Sequence, residues 1–220
     1  MLTIVYQDDS IVVCVKPFRV LSTDEPGGMP DLIREAIGQP HAKVRAVHRL
    51  DQVVGGLMVY GLTGPAASDL SRQIREDTFA KEYQAVVHWR PQYDEGTFID
   101  LLGRNEKTRK TYVAKLPGKG IQQAILHYRL LDNTQGFSLV EIRLETGRTH
   151  QIRAQFSSRG MPLAGDRKYS KYPDPKEWQI ALWSSRLAFT HPETGEPMEF
   201  RLSPPETEPW TLFSKQEKTD

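Results

Sequence analysis

The sequence predicts an α+β fold, a mixed and largely antiparallel sheet with flanking helices. Segments with strand character outnumber helical ones and mostly follow one another, whereas a parallel sheet would need strand and helix to alternate. The clearest strand, residues 137–145, alternates Val140, Ile142 and Leu144 with Glu141, Arg143 and Glu145, the pattern of a half-buried strand.

Taken in order, the chain opens with a strand over 10–16, ended by Pro17. Residues 21–30 carry Pro26, Gly27, Gly28 and Pro30 and read as a loop. A short helix is expected over 31–37, stopped by Gly38. Residues 57–60 form an apolar strand, and 65–76 a helix with Pro65 in its first turn and Ala66, Leu70 and Ile74 at helical spacing. Strand character returns at 81–87, 111–115 and 121–131. After the clear strand, Gly147 breaks the chain, and Thr149 is placed to cap a helix reaching to about Ser158, with Ile152 and Phe156 on its apolar face. Residues 183–189 and 198–202 read as closing strands. The expectation is one catalytic domain over 1–205 and a polar, frayed C-terminal tail over 206–220.

Composition excludes several classes. The chain has 220 residues, 38% hydrophobic and 26% charged, a soluble globular composition with material for a real core. Its one cysteine, Cys14, lies within an apolar run and reads as buried, so neither an internal disulfide nor a thiolate metal cluster is available. A reducing cytoplasm fits that usage. No apolar run approaches the ~20 residues of a membrane span, and the N-terminus has no basic region followed by a long apolar segment.

Net charge is only +1, but the cations are gathered. Lys43, Arg45 and Arg49 lie in one stretch with His41 and His48 and no acid. Arg104, Lys107, Arg109, Lys110, Lys115 and Lys119 stand against Glu106 alone. Arg143, Arg148, Arg153, Arg159, Arg167, Lys168 and Lys171 stand against Glu145 and Asp166. If these stretches converge they make a phosphate-binding face; otherwise they are ordinary solvated loops.

Three constellations carry candidate chemistry. In Ala46-Val47-His48-Arg49-Leu50-Asp51, followed by Gly55-Gly56, an extended backbone would put Arg49 and Asp51 on one face and His48 and Leu50 on the other. A carboxylate beside a guanidinium stays ionised, which suits a nucleophile or general base; the bland alternative is a surface salt bridge. In Lys81-Glu82-Tyr83, the tyrosine serves either the core or as a ring that stacks on a base and exchanges a proton. Leu144 to Arg153 is a polar cluster at a strand-to-helix junction, where unpaired N–H groups attract anions. There Arg148 would reach back to a carboxylate while Thr149, His150 and Gln151 meet phosphates or base edges; a capped surface helix is the plain alternative. No metal is expected, since His48, Asp51 and His150 match no common ligand spacing.

Together these segments resemble the RluA-type pseudouridine synthases, from about Ile4 to Leu202. The resemblance rests on Val13-Cys14-Val15-Lys16-Pro17, His48-Arg49-Leu50-Asp51 with Gly56-Leu57, Lys81-Glu82-Tyr83, Gly147 to Arg153, Gly160 to Asp166 with Tyr169, and His191 to Glu196, in that order. It implies a pseudouridine synthase-like catalytic domain and an isomerase that acts on rRNA or tRNA without a cofactor. It implies that Asp51 is the essential carboxylate, as nucleophile or as the base that starts elimination. Arg148 would pair with Asp51, and Tyr83 would stack on the uracil and help remove the C5 proton. His48, Arg49, Leu57, Thr149, Gln151 and Ile152 would bind substrate, with Arg49 filling the gap left by a flipped base, Leu57 and Ile152 as apolar walls, and the 104–119 lysines on phosphates.

The sequence departs from the family at Val53-Val54-Gly55-Gly56, where Asp-Thr-Ser-Gly or similar is common, at Gly61-Leu62 in place of Ala-Lys, and at Trp183 in place of a histidine. None removes a catalytic group. Some members carry an N-terminal S4-type domain; here RNA recognition is expected from the catalytic domain, acting as a monomer with no protein partner. Rival readings are a non-catalytic RNA-binding module on the same fold, a metal-dependent phosphodiesterase, and a structural assembly factor.

Overall fold

The structure is a computed structural model that describes residues 1–213. The backbone divides into two compact units. One comprises Met1–Glu82 and Trp183–Ser203, the other Tyr83–Leu182 and residues 204–213.

The first unit contains β1 (Ile4–Gln7), β2 (Ile11–Lys16), α1 (Met29–Ala36), β3 (Arg45–Ala46), β4 (Gly55–Gly61) and α2 (Gly64–Arg75). It also takes the first residues of β5 (Ala80–His88), most of β10 (Leu182–Thr190) and β11 (Pro197–Arg201). β2 runs antiparallel to β1 and β4, with Val13 opposite Val59. β4 also runs parallel to β10, with Gly55 opposite Trp183, and β10 antiparallel to β11. Partners on both edges explain why β4 is buried along its whole length. Ile11 and Val13, two apart on β2, and Leu57 and Val59, two apart on β4, pack with Ala66 and Leu70 of α2 and with Phe79, Leu187 and Phe189. Each of the Ile, Val, Leu and Phe side chains among them contributes about 1.5–3 kcal/mol on burial. α1 begins two residues before the expected start because Pro30 sits in its first turn, where no backbone donor is needed.

The second unit contains the rest of β5, β6 (Glu95–Asn105), β7 (Lys110–Ala114), β8 (Gln122–Thr134), β9 (Phe137–Leu144) and α3 (Gln151–Ser158). Its strand order is β5-β9-β8-β6-β7, and the pairs β8–β9, β6–β8 and β6–β7 are antiparallel. Phe98 of β6 packs on Tyr128 of β8 and Phe156 of α3, with ring centroids 4.9 and 5.1 Å away.

Two expectations are corrected here. β6 has no counterpart among the expected strands. The tail expected to begin at residue 206 holds a 3₁₀ turn, Trp210–Leu212, whose Trp210 is buried; Glu208 accepts the Trp178 indole N–H at 3.1 Å. Residues 214–220 of that tail lie outside the described residues.

Candidate active site

Asp51 occupies a loop of the first unit. Residues 47–51 form a bend and irregular backbone rather than the extended strand considered above, so Arg49 and Asp51 do not alternate along a sheet. The loop is fixed instead by its neighbours. Leu50 is buried, and its backbone exchanges hydrogen bonds with the Ser22 hydroxyl: Leu50 N–H to Oγ at 3.1 Å and Oγ–H to Leu50 O at 2.9 Å. The Val54 N–H donates to the Asp51 carbonyl at 2.9 Å, closing a four-residue turn. Asp51 itself is half-buried and Arg49 exposed.

Beside the loop is Lys16, wholly buried at the end of β2. Its Nζ donates to the carbonyls of Pro17 at 2.9 Å, Gln52 at 3.1 Å and Val54 at 2.7 Å. These acceptors use every N–H of an ammonium. Burial pulls the Lys16 pKa down to about 8, and the Asp51 carboxylate opposes that fall. Gly55 and Gly56 complete the setting. Gly56 has φ +117°, and a Cβ there would stand 2.4 Å from the Ser184 carbonyl oxygen; a Cβ on Gly55 would stand 2.6 Å from the Trp183 ring.

Two first-unit residues expected to bind substrate are given other work. His48 turns Nε2 to accept the Val59 N–H at 3.2 Å and packs on Phe79, with centroids 5.8 Å apart. Although the residue as a whole is half-buried, its Nδ1 is enclosed, and burial first, then the Lys81 ammonium, brings its pKa down to about 3. It is therefore a neutral ring bonded to β4. Leu57 is fully buried in the core of the first unit, pointing with Val59 toward α2.

Tyr83 and Arg148 belong to the second unit. Tyr83 is buried on β5. Arg148 is exposed, in the turn between β9 and α3, and its Nε donates to the Gln123 carbonyl at 3.0 Å. Gln151 shapes that turn. Its Oε1 accepts the Arg148 N–H at 3.0 Å and the Thr146 hydroxyl at 2.8 Å, and its Nε2 donates to Ile125 O at 3.0 Å. The Gln151 amide thus holds the turn through backbone groups and the Thr146 hydroxyl. The expected Thr149 cap is also corrected: the N-cap of α3 is His150, at φ +54° and with no side-chain cap bond. Thr149 is half-buried, and its carbonyl accepts the Thr111 hydroxyl at 2.7 Å. Ile152 is buried in the first turn of α3.

The basic stretches separate into two kinds. Arg153 forms a buried two-bond pair with Asp166, at 2.8 and 2.7 Å, and Arg159 pairs with Asp100 at 2.8 Å; neither offers a free cation to phosphates. Arg104, Lys107, Arg109 and Lys110, on the β6–β7 hairpin, are all exposed. Among the described residues, no group of three or more His, Cys, Asp or Glu is placed to hold a metal ion, and no helix is long and apolar enough to cross a membrane.

Lys16 entered the sequence reading only as part of the Val13–Pro17 motif, with no role given to it, and Ser22 and the backbone role of Gln151 were not singled out. The one available signal was a lysine closing the apolar run 11–15, where a cation is retained only if something inside accepts its protons.

Comparison with known proteins matches residues 10–158 to the RNA pseudouridylate synthase family, a stretch that includes Asp51, Tyr83 and Arg148. A Bacillus subtilis protein named uncharacterized RNA pseudouridine synthase YlyB is 34% identical over 215 residues, covering 93% of this chain and 70% of that one. Ribosomal large subunit pseudouridine synthase D of Neisseria meningitidis is 36% identical over 225 residues, again covering 93% of this chain but 59% of the relative's own length. In fold, human RNA pseudouridylate synthase domain containing 1 is similar with a TM-score of 0.81 over 94% of this chain and 85% of that one, at 22% identity.

Proposed function

Because this chain belongs to the RNA pseudouridylate synthase family, we propose that it isomerises uridine to pseudouridine in RNA and that the Asp51 carboxylate starts the reaction. The observation that carries the assignment is the setting of Asp51. A half-exposed carboxylate stands on a loop whose next carbonyls are gripped by a buried ammonium, so its position is fixed before substrate arrives.

The reaction breaks the N1–C1′ bond of uridine, turns the uracil and joins C5 to C1′. C5 gives up its proton and N1 gains one, so redox state is unchanged and no cofactor is needed. The target base must leave the stack, at a cost of roughly a few kcal/mol. Asp51 acts on the sugar–base bond as nucleophile or as base. Arg148, presented by a turn that Gln151 holds, supplies positive charge to that carboxylate. Tyr83, buried on β5, offers its ring to the uracil and its hydroxyl to proton removal at C5. Arg49 fills the space of the flipped base, Thr149 and Ile152 contact the nucleotide, and the exposed hairpin cations contact phosphates.

Ribosomal RNA is the favoured substrate, since relatives covering most of this chain are named for the large ribosomal subunit. The protein acts as a cytoplasmic monomer. The test is pseudouridine mapping on rRNA and tRNA transcripts incubated with wild-type protein, Asp51→Ala and Asp51→Asn. Wild type is expected to introduce pseudouridine. Both variants are expected to lose roughly 10³-fold or more in rate, at the scale of a lost acid–base or nucleophilic group, while still binding RNA. Substantial turnover by Asp51→Ala overturns the assignment.

A further inference from the structure

Two segments of the second unit carry exposed cations, the β6–β7 hairpin and the turn that presents Arg148. One side chain is bonded to both. The Tyr169 hydroxyl accepts the Thr111 N–H, from β7, at 2.7 Å. It lies 2.8 Å from Nδ1 of His150. Either partner of that second bond can donate, according to the His150 tautomer.

We propose that Tyr169 is a positioning residue for the isomerisation: its hydroxyl ties the basic β6–β7 hairpin to the Arg148–His150 turn, so that RNA gripped by the hairpin is held in register with Arg148. This rests on the role proposed above for Arg148.

The surroundings of Tyr169 fit a fixed strut rather than a packing ring. Its N–H donates to Asp166 at 3.2 Å, and its carbonyl accepts the Ser157 hydroxyl at 3.0 Å, so its backbone is anchored. The same Asp166 locks Arg153, whose guanidinium stands 5.0 Å from the Tyr169 ring centre, and the Lys110 ammonium stands 5.9 Å from it. With ring and backbone held, the hydroxyl has one place to be. At its far side, His150 has φ +54°, a conformation that a non-glycine residue keeps only where its surroundings over-determine it. The tie has a second strand, the Thr111 hydroxyl to Thr149 O at 2.7 Å, so the hairpin, one residue pair from its turn, grips two successive residues after Arg148.

The experiment compares wild type, Tyr169→Phe, His150→Ala and the double variant as full chains, on an RNA that wild type modifies. Tyr169→Phe keeps the ring and the Thr111–Thr149 bond and removes only the hydroxyl's part of the tie. The expected result is a fall in kcat of roughly tenfold, the scale of a small misplacement of a reacting group, with KM for RNA within about twofold and the thermal midpoint near wild type. In the His150→Ala background, Tyr169→Phe is expected to add little, because both changes cut one connection. The Thr111 amide is expected to exchange faster in Tyr169→Phe. Wild-type kcat in Tyr169→Phe, additive effects in the double variant, or a loss that follows a fall in thermal midpoint overturns the proposal. Should wild type make no pseudouridine, the proposed function fails instead. The tie is then judged by amide resonances alone: unchanged shifts at residues 148–150 in Tyr169→Phe overturn it.

Discussion

Asp51 stands on a loop fastened by a buried ammonium, Arg148 on a turn fastened by a neutral amide and hydroxyls. Lys16 reaches its three acceptors from inside the core of the first unit, where its charge is costly to keep. Gln151 and Thr146 fasten their turn from its own edge, with partners no further away than the adjoining strand β8. The contrast separates two ways of holding a charged side chain still. A buried cation makes the position of Asp51 depend on the integrity of the whole unit. A short amide and hydroxyl network makes the position of Arg148 depend on its own turn and the strands and side chains bonded to it.

The largest expected effect comes from breaking the first device. Lys16→Met leaves three carbonyls without their donor and should cost about 3 kcal/mol, read as a lower urea midpoint at unchanged m. A variant as stable as wild type would show that water replaces the ammonium and that the loop needs no internal clamp.

The next effect is set by pH and falls on the same unit. His48 is neutral in the folded state, with a pKa of about 3 against an ordinary value of 6.5. Between those values the unfolded chain takes up a proton that the native ring refuses, so stability falls as pH drops from about 6.5 toward 3. From pH 7 to pH 5 the loss from this residue is about 2 kcal/mol. His48→Gln should flatten that part of a stability–pH curve measured by urea unfolding, and an unchanged slope would assign the acid sensitivity elsewhere.

The smallest effect sharpens the comparison from the other side. Gln151→Ala removes the amide that receives the Arg148 N–H and should cost about 1 kcal/mol globally, while amide exchange at Arg148 quickens. A cost equal to that of Lys16→Met would abolish the distinction between the two regions.

Much of this architecture is legible in the chain because local pattern and tertiary role agree. β9 alternates cleanly, and α2 carries its apolar residues at helical spacing beneath a Thr63 cap. β6 was illegible for a definite reason. Gly96 and Gly103 look like breaks, yet each lies opposite a tyrosine in the neighbouring strand, and a Cβ at either would meet that ring at 2.8 or 2.7 Å. The ring occupies the space that the glycine leaves, which only the pairing reveals. The α3 cap was misassigned to Thr149 because a threonine before a helix is the commoner device; here a left-handed His150 and the Gln151 side chain, reaching back to Arg148, replace it. At the candidate site, motif order located Asp51, Tyr83 and Arg148 as residues to examine. It did not distinguish residues presented to a ligand from those spent on the backbone, such as His48 and Gln151, because that distinction depends on where each nitrogen points.

The pairing of Gly55 and Gly56 with Trp183 and Ser184 has a consequence in time. A ribosome delivers the Asp51 loop early, but the strand that lies beside its glycines arrives only after all of Tyr83–Leu182 has been made. Most of the second unit is one unbroken stretch and is ready to fold as it emerges, whereas the first must wait for its returning segment. The nascent chain therefore completes the basic hairpin before it completes the bed of the Asp51 loop.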